Sequence, residues 1–270
     1  MFNLDPLLEE AKDKLIAIAF HDFESGAEYF LNADHAFHPA STFKVHVMME
    51  VFREAQEGLL SLKDRISIIN SFTSLADRSK YSLDVNDDAE QTLYPRIGES
   101  ETIHELTRLM IVQSSNLATN ILLEKVGTKN VNDLIQVLGI QGVTVRRGVE
   151  DNAAFRLGMN NSATARGLTQ TMKLIAEKKV VSEEASEKMI EILLGQEFNE
   201  SIPALLPKSV KVAHKTGWTN DVYHDTGIVY PEHRKPYVLS IMTKGFNENQ
   251  ATEAHQCMAN ISKMIYENLQ

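Results

Sequence analysis

Apolar residues recur along this chain with two different periods, and the switch between them marks out its elements. Residues 4 to 14 carry apolar positions at helical spacing behind Asp5-Pro6 and predict a short amphipathic helix. Leu15 to Phe20 is a compact apolar run. The turn His21-Asp22-Phe23-Glu24-Ser25-Gly26 and the run Ala27 to Asn32 complete a predicted β-hairpin. From Ser41 the spacing becomes helical and stays so to about residue 200, interrupted by a polar stretch from Ser71 to Gly98. Strand-like runs return at Val210 to Thr216, Thr226 to Tyr230 and Tyr237 to Thr243, ahead of a closing helix from about Asn249. Both ends are thus α/β and the middle is helical. The expected fold class is α/β in the α+β sense: one antiparallel sheet from both termini, flanked by terminal helices, with an inserted all-α domain. The expected boundaries are 1–40 plus 205–270 for the sheet domain and 41–204 for the helical insertion, with an active site at the seam.

Composition narrows the function classes. A chain of 270 residues with 43% hydrophobic residues can bury a large core. The net charge of −10 argues against nucleic acid, whose binding needs clustered Lys and Arg. The single cysteine, Cys257, lies in the apolar pattern Ala254, Cys257, Met258, Ile261, Met264, Ile265 and reads as a buried helix residue. No stretch holds the roughly eighteen apolar residues of a membrane span. The start, Met-Phe-Asn-Leu-Asp-Pro-Leu-Leu-Glu-Glu, has no basic opening or cleavage site, so the expectation is a cytoplasmic protein, or a secreted or periplasmic one if a leader was removed. A monomer is expected, with no membrane partner.

Four polar constellations carry the candidate chemistry. In Ser41-Thr42-Phe43-Lys44 the lysine lies one helical turn from the serine, so its amine can cover the hydroxyl as a base. Alone this is weak, because a chain of this length carries roughly one Ser-x-x-Lys by accident. A serine cap with a solvated lysine accounts for it equally well. Ser114-Ser115-Asn116 lies between two helical patterns and reads either as an ordinary capped helix start or as polar groups pointing into a cleft. Lys215-Thr216-Gly217 ends an apolar strand and is more specific, since about one chain in fifteen carries that tripeptide by chance. Arg146 to Asn161 is a long polar connection containing Glu150 and Asp151, of a size that often marks a functional loop. Other chemistries find less support. There is no Gly-x-Ser-x-Gly elbow, His104-Glu105 lacks the second histidine of a zinc site, and Asp84-Val85-Asn86-Asp87-Asp88 has Ala89 where a calcium loop needs glycine.

Taken together, in this order and at these separations, Ser41-Thr42-Phe43-Lys44, Ser114-Ser115-Asn116, Glu150 and Lys215-Thr216-Gly217 resemble the penicillin-recognising serine hydrolases, specifically the class A β-lactamases. The resemblance implies acyl transfer through a serine ester, a small β-lactam or related acyl substrate, and no metal or organic cofactor. It assigns Ser41 as nucleophile, Lys44 as proton acceptor, Ser114 as donor to the leaving nitrogen, and Lys215 as the cation that lowers neighbouring pKa values. Glu150 is implied as the base for the deacylating water. Asn116, Thr216, Gly217, Trp218 and Thr219 are implied at the substrate, with the backbone N–H groups of Ser41 and Trp218 as the oxyanion hole. Four departures bear on function. Ser115 stands where the family has an Asp. Ala154 replaces the asparagine that helps position water. No acid lies between Asp151 and Glu177 to pair with the loop's Arg146 or Arg147, which leaves Asn152, Asn160 or Asn161 as candidate substitutes. Strand Thr226 to Tyr230 lacks a helper arginine, leaving His224 as the candidate. A slow-deacylating penicillin binder, a D-amino-acid peptidase or esterase, and a non-catalytic ligand sensor are the alternatives.

Overall fold

The computed structural model describes residues 4–269. The chain opens with α1 (Asp5–Glu10), β1 (Leu15–Asp22) and β2 (Glu28–Leu31), the predicted helix and hairpin. The helix is shorter than its pattern, because residues 11 to 14 turn the chain into β1. A 3-10 turn over Ala40–Phe43 runs directly into α2 (Lys44–Gln56). The polar stretch that follows forms two small ribbons, β3 (Arg65–Ser67) with β6 (Ser100–Thr102), and β4 (Phe72–Thr73) with β5 (Lys80–Tyr81). Helices α3 (Ile103–Val112), α4 (Asn116–Val126), α5 (Thr128–Val137), α6 (Asn152–Arg156), α7 (Ala165–Ala176) and α8 (Glu183–Leu194) come next. The end of the chain supplies β7 (Lys211–Trp218), β8 (Val222–Tyr230), β9 (Tyr237–Lys244) and α9 (Ala251–Glu267).

The main sheet is antiparallel with strand order β2-β1-β9-β8-β7, so strands from both termini pair at its centre and β7 forms an open edge. Alternation along each strand feeds two cores. Ile16, Ile18 and Phe20 of β1 join Leu239 and Ile241 of β9 beneath α9, while Ala17 and Ala19 face the other core with Val238 and Met242. The second face is lined by small residues because α7 lies close upon it. There the Thr169 hydroxyl donates to Ser240 Oγ at 2.8 Å, and Ser240 in turn pairs with Thr226 at 2.7 Å. Helix α2 is buried from Lys44 through Phe52, packs against α3, α4, α5 and α8, and starts at the sheet edge. A helix enclosed on all sides is a rigid mount. β8 begins at Val222, four residues before its apolar run, because Tyr223, His224 and Asp225 are buried between β7 and β9.

Candidate active site

Ser41 sits half-buried in the 3-10 turn, which packs against β7. Ala40 adopts a left-handed φ of 46° to swing the chain into the turn. Gly217 faces it so closely that a Cβ there would lie 2.6 Å from Ser41 N and 3.0 Å from Thr42 N, so only glycine permits this approach. The Thr219 N–H donates to Val222 O at 3.0 Å, which fixes that pair as the hydrogen-bonded one closing the hairpin. Alternation along an antiparallel ladder then turns the N–H of Trp218, paired with Tyr223, off the open edge toward Ser41. Two backbone donors thus flank the serine.

Lys44 and Lys215 are fully buried and meet at one hydroxyl. Lys44 Nζ donates to Ser114 O at 2.7 Å and Asn116 Oδ1 at 2.8 Å, with Ser114 Oγ at 3.4 Å and Ser115 O at 3.5 Å. Its partners all belong to the second motif, which holds the amine at the top of α2. Lys215 Nζ donates to Ser114 Oγ at 3.1 Å and to Thr216 O at 2.9 Å. Ser114 has a left-handed φ of 56°, a strain that aims both its carbonyl and its hydroxyl at the lysines. Burial lowers the Lys44 pKa to about 7, against the opposing pull of the Asp88 and Glu150 charges. Burial and the neighbouring Lys44 charge push Lys215 down as well. Each charge thus disfavours the other, and burial disfavours both.

Two carboxylates that no sequence pattern announces, Asp88 and Glu90, stand against the second motif, where Ser115 takes the place of the family's Asp. Asp88, buried, takes the N–H groups of Asn116 and Leu117, each at 2.9 Å, and the Tyr94 hydroxyl at 3.0 Å. A negative charge at the N-terminus of α4 is favourable and pins the second motif. Buried Glu90 accepts from the Ser115 hydroxyl at 3.4 Å, while Ser115 Oγ caps α4 by accepting from the Ala118 N–H at 3.1 Å. The capped-helix reading holds for this serine, while its neighbours Ser114 and Asn116 bond Lys44. Asp88 belongs to the stretch read as a calcium-like polar loop, and nothing in its spacing to Asn116 announces the contact. The one available signal was the missing carboxylate itself.

Glu150 also has a left-handed φ, 58°, at the tip of its loop. One oxygen accepts from the Asp84 N–H at 3.0 Å; the other, Oε1, is buried without a hydrogen-bond partner among the described residues. Burial raises its pKa, and the charges of Asp87, Asp88 and Asp84 add to the rise. Ala154 is fully buried, its N–H bonding Asp151 and its carbonyl the N–H groups of Leu157 and Met159. Asp151 anchors the loop through Ser74 Oγ at 2.7 Å and the Leu75 N–H at 2.8 Å. Of the three asparagines expected to stand in for the loop's missing acid, only Asn160 bonds a guanidinium, its Oδ1 accepting from Arg147 Nε at 3.2 Å. Asn161 Oδ1 accepts from the main-chain N–H groups of Arg146 and Arg147 at 2.7 and 3.0 Å. Asn152 instead starts α6. Asn120 closes the loop from α4, bonding Val149 through both its N–H and its carbonyl.

Thr216 Oγ1 is buried with no hydrogen-bond partner among the described residues. Trp218 is exposed and stands edge-on to Phe198 at 5.0 Å, and Thr219 is half-buried at the hairpin end. His224 is not a free cation for a substrate carboxylate. It is buried, Nε2 bonds His38 O at 2.9 Å, Nδ1 accepts from the Thr243 N–H at 3.2 Å, and burial holds its pKa down to about 4.

Residues 3–269 match the beta-lactamase enzyme family. The chain belongs to that family. Among relatives of this beta-lactamase-family chain, the beta-lactamase of Bacteroides uniformis is 26% identical, with 87% of this chain and 80% of the relative covered. The extended-spectrum beta-lactamase PER-1 of Pseudomonas aeruginosa is 23% identical over 97% of this chain and 87% of its own. In fold, the family member resembles the beta-lactamase from Sphaerobacter thermophilus, with TM-score 0.83, 22% identity and coverage of 99% and 97%. It also resembles PBP-A in an acyl-enzyme complex with penicillin G, with TM-score 0.84, 23% identity and coverage of 98% and 93%.

Proposed function

We propose that the chain is a serine hydrolase of the class A β-lactamase type that opens β-lactam rings through an acyl-enzyme on Ser41. The observation that carries this is the meeting of Lys44 and Lys215 at Ser114 Oγ, beside a serine flanked by two backbone donors. A buried amine with a pKa of about 7 is a base at neutral pH, matched to taking a hydroxyl proton. Ser41 Oγ attacks the lactam carbonyl as Lys44 takes its proton. The carbonyl oxygen becomes an anion between the Ser41 and Trp218 N–H groups, and each such donor is worth roughly 3 to 4 kcal/mol. The proton passes through Ser114 Oγ, which touches both amines, to the departing lactam nitrogen. Thr216 Oγ1, Gly217 and Thr219 line the place of the substrate carboxylate, and Asn116 holds both Lys44 and the substrate amide. Glu150 Oε1, a buried acceptor left free by the protein, takes a proton from the water that releases the acyl group.

In this reading the sheet unit, 1–40 with 205–270, contributes Lys215 to Thr219, and the helical unit, 41–204, contributes the rest. The enzyme works as a monomer on a small acyl substrate. Among the described residues no helix is long and apolar enough to cross a membrane. The buried Ala154 favours a second reading, a penicillin binder that acylates quickly and deacylates slowly, as no side chain there shares the water with Glu150. Hydrolysis of benzylpenicillin and of a chromogenic cephalosporin by the chain and by Ser41→Ala tests the proposal. Turnover that vanishes in Ser41→Ala is expected, and undiminished turnover in that variant would overturn it.

A further inference from the structure

Apart from the catalytic cleft, an open cavity of about 330 Å³ lies behind the Glu150 loop, lined by Arg78, Arg146 and Arg147 together with Phe72, Leu75 and Leu123. No residue of the Ser41, Lys44, Ser114, Lys215 cluster lines it. Arg147 is 7% exposed, and its bonds go to the Asn160 amide and the Gly148 carbonyl, neither of which carries a charge. Among the described residues none of the three guanidiniums is in an ion pair. Two carboxylates also touch the cavity, but Asp151 is occupied by Ser74, Leu75 and Ala154, and Glu124 by the Thr73 N–H. The walls therefore carry one net positive charge. The Asp151 charge attracts Arg147 only from beyond ion-pair distance, and a buried cation without a contacting counter-charge is costly. A guanidinium fork fits a planar or tetrahedral oxyanion.

We propose that this cavity is a binding site for a small organic anion, its carboxylate or phosphate head seated among Arg78, Arg146 and Arg147 and its compact apolar body against Phe72, Leu75 and Leu123. The volume is at the small end for ligand pockets, which excludes bulky ligands. The head would supply the charge that Asn160 and Asn161 do not give Arg147. This site stands apart from the proposed hydrolase reaction, and its test needs no turnover.

The test is thermal melting of the full chain, at constant ionic strength, against phenyl phosphate, benzoate and inorganic phosphate. A saturable rise in Tm with phenyl phosphate or benzoate is expected, the tighter of the two naming the head group, with inorganic phosphate at least about tenfold weaker for want of the apolar wall. The double variant Arg78→Ala/Arg146→Ala changes only exposed side chains and should weaken binding at least about tenfold. Asn160→Asp, which gives Arg147 an internal counter-charge, should weaken it too. No saturable rise, or a rise that survives both variants and disappears in Lys215→Ala, would overturn the proposal.

Discussion

On one side of the cleft, Ser41, Lys44, Ser114 and Lys215 stand on a buried helix, a helix junction and a sheet edge, and each lysine is held by hydrogen bonds to main chain and side chain. On the other, Glu150 stands at the tip of a loop tied by Asn120, Asp151, Asn160 and Asn161, with one oxygen bonded and one not. These four residues of the first side are the family's, with Ser115 between them and α4 the one change there; the second replaces an acid by amides and an asparagine by Ala154. Residues held by regular elements have little freedom to be replaced, because each position also serves packing. A loop can exchange a salt bridge for amide bonds and keep its path. The account therefore assigns acylation to the first side and the rate of release to the second.

The largest expected effect falls on the first side. Lys44→Ala removes the base and should slow acylation roughly 10²- to 10⁴-fold, read from adduct formation after rapid mixing with a penicillin. An equal loss in deacylation alone would break the division. Gly217→Ala should follow at about 10²- to 10³-fold, since its Cβ must displace the Ser41 N–H that stabilises the oxyanion. The pH dependence sharpens the same point. Lys44 acts as the free amine, so the acylation rate should rise with pH through about 7. Asp88→Asn removes a charge that raises the Lys44 pKa, so the rising limb should move to lower pH. The same change weakens bonds to Asn116 and Leu117 and should cost about 1 to 3 kcal/mol of stability, seen by thermal melting. A profile that stays in place would mean Asp88 is only structural.

Much of the first side was legible because its residues lie close in sequence or in motifs whose chemistry fixes their company. Ser41 and Lys44 are one helical turn apart, and Lys215 to Gly217 end a strand whose apolar run is plain. The hairpin of β1 and β2 and the pairing of both termini followed from period-two runs. Asp88 and Glu90 were not legible, because their contacts to residues 115–117 join a polar loop to a helix start with no shared periodicity. The role of His224 was misjudged for a related reason. A lone histidine near a site says nothing about its partners, and here both ring nitrogens are committed to the main chain.

The most direct test of the division between the two sides is intact-protein mass against time after mixing benzylpenicillin with the wild type and with Glu150→Gln. The account predicts that both add one acyl group at rates within a few-fold of each other, that Ser41 carries it, and that Glu150→Gln keeps it roughly 10²- to 10⁴-fold longer. Loss of adduct formation in Glu150→Gln, or release as fast as in the wild type, would contradict it.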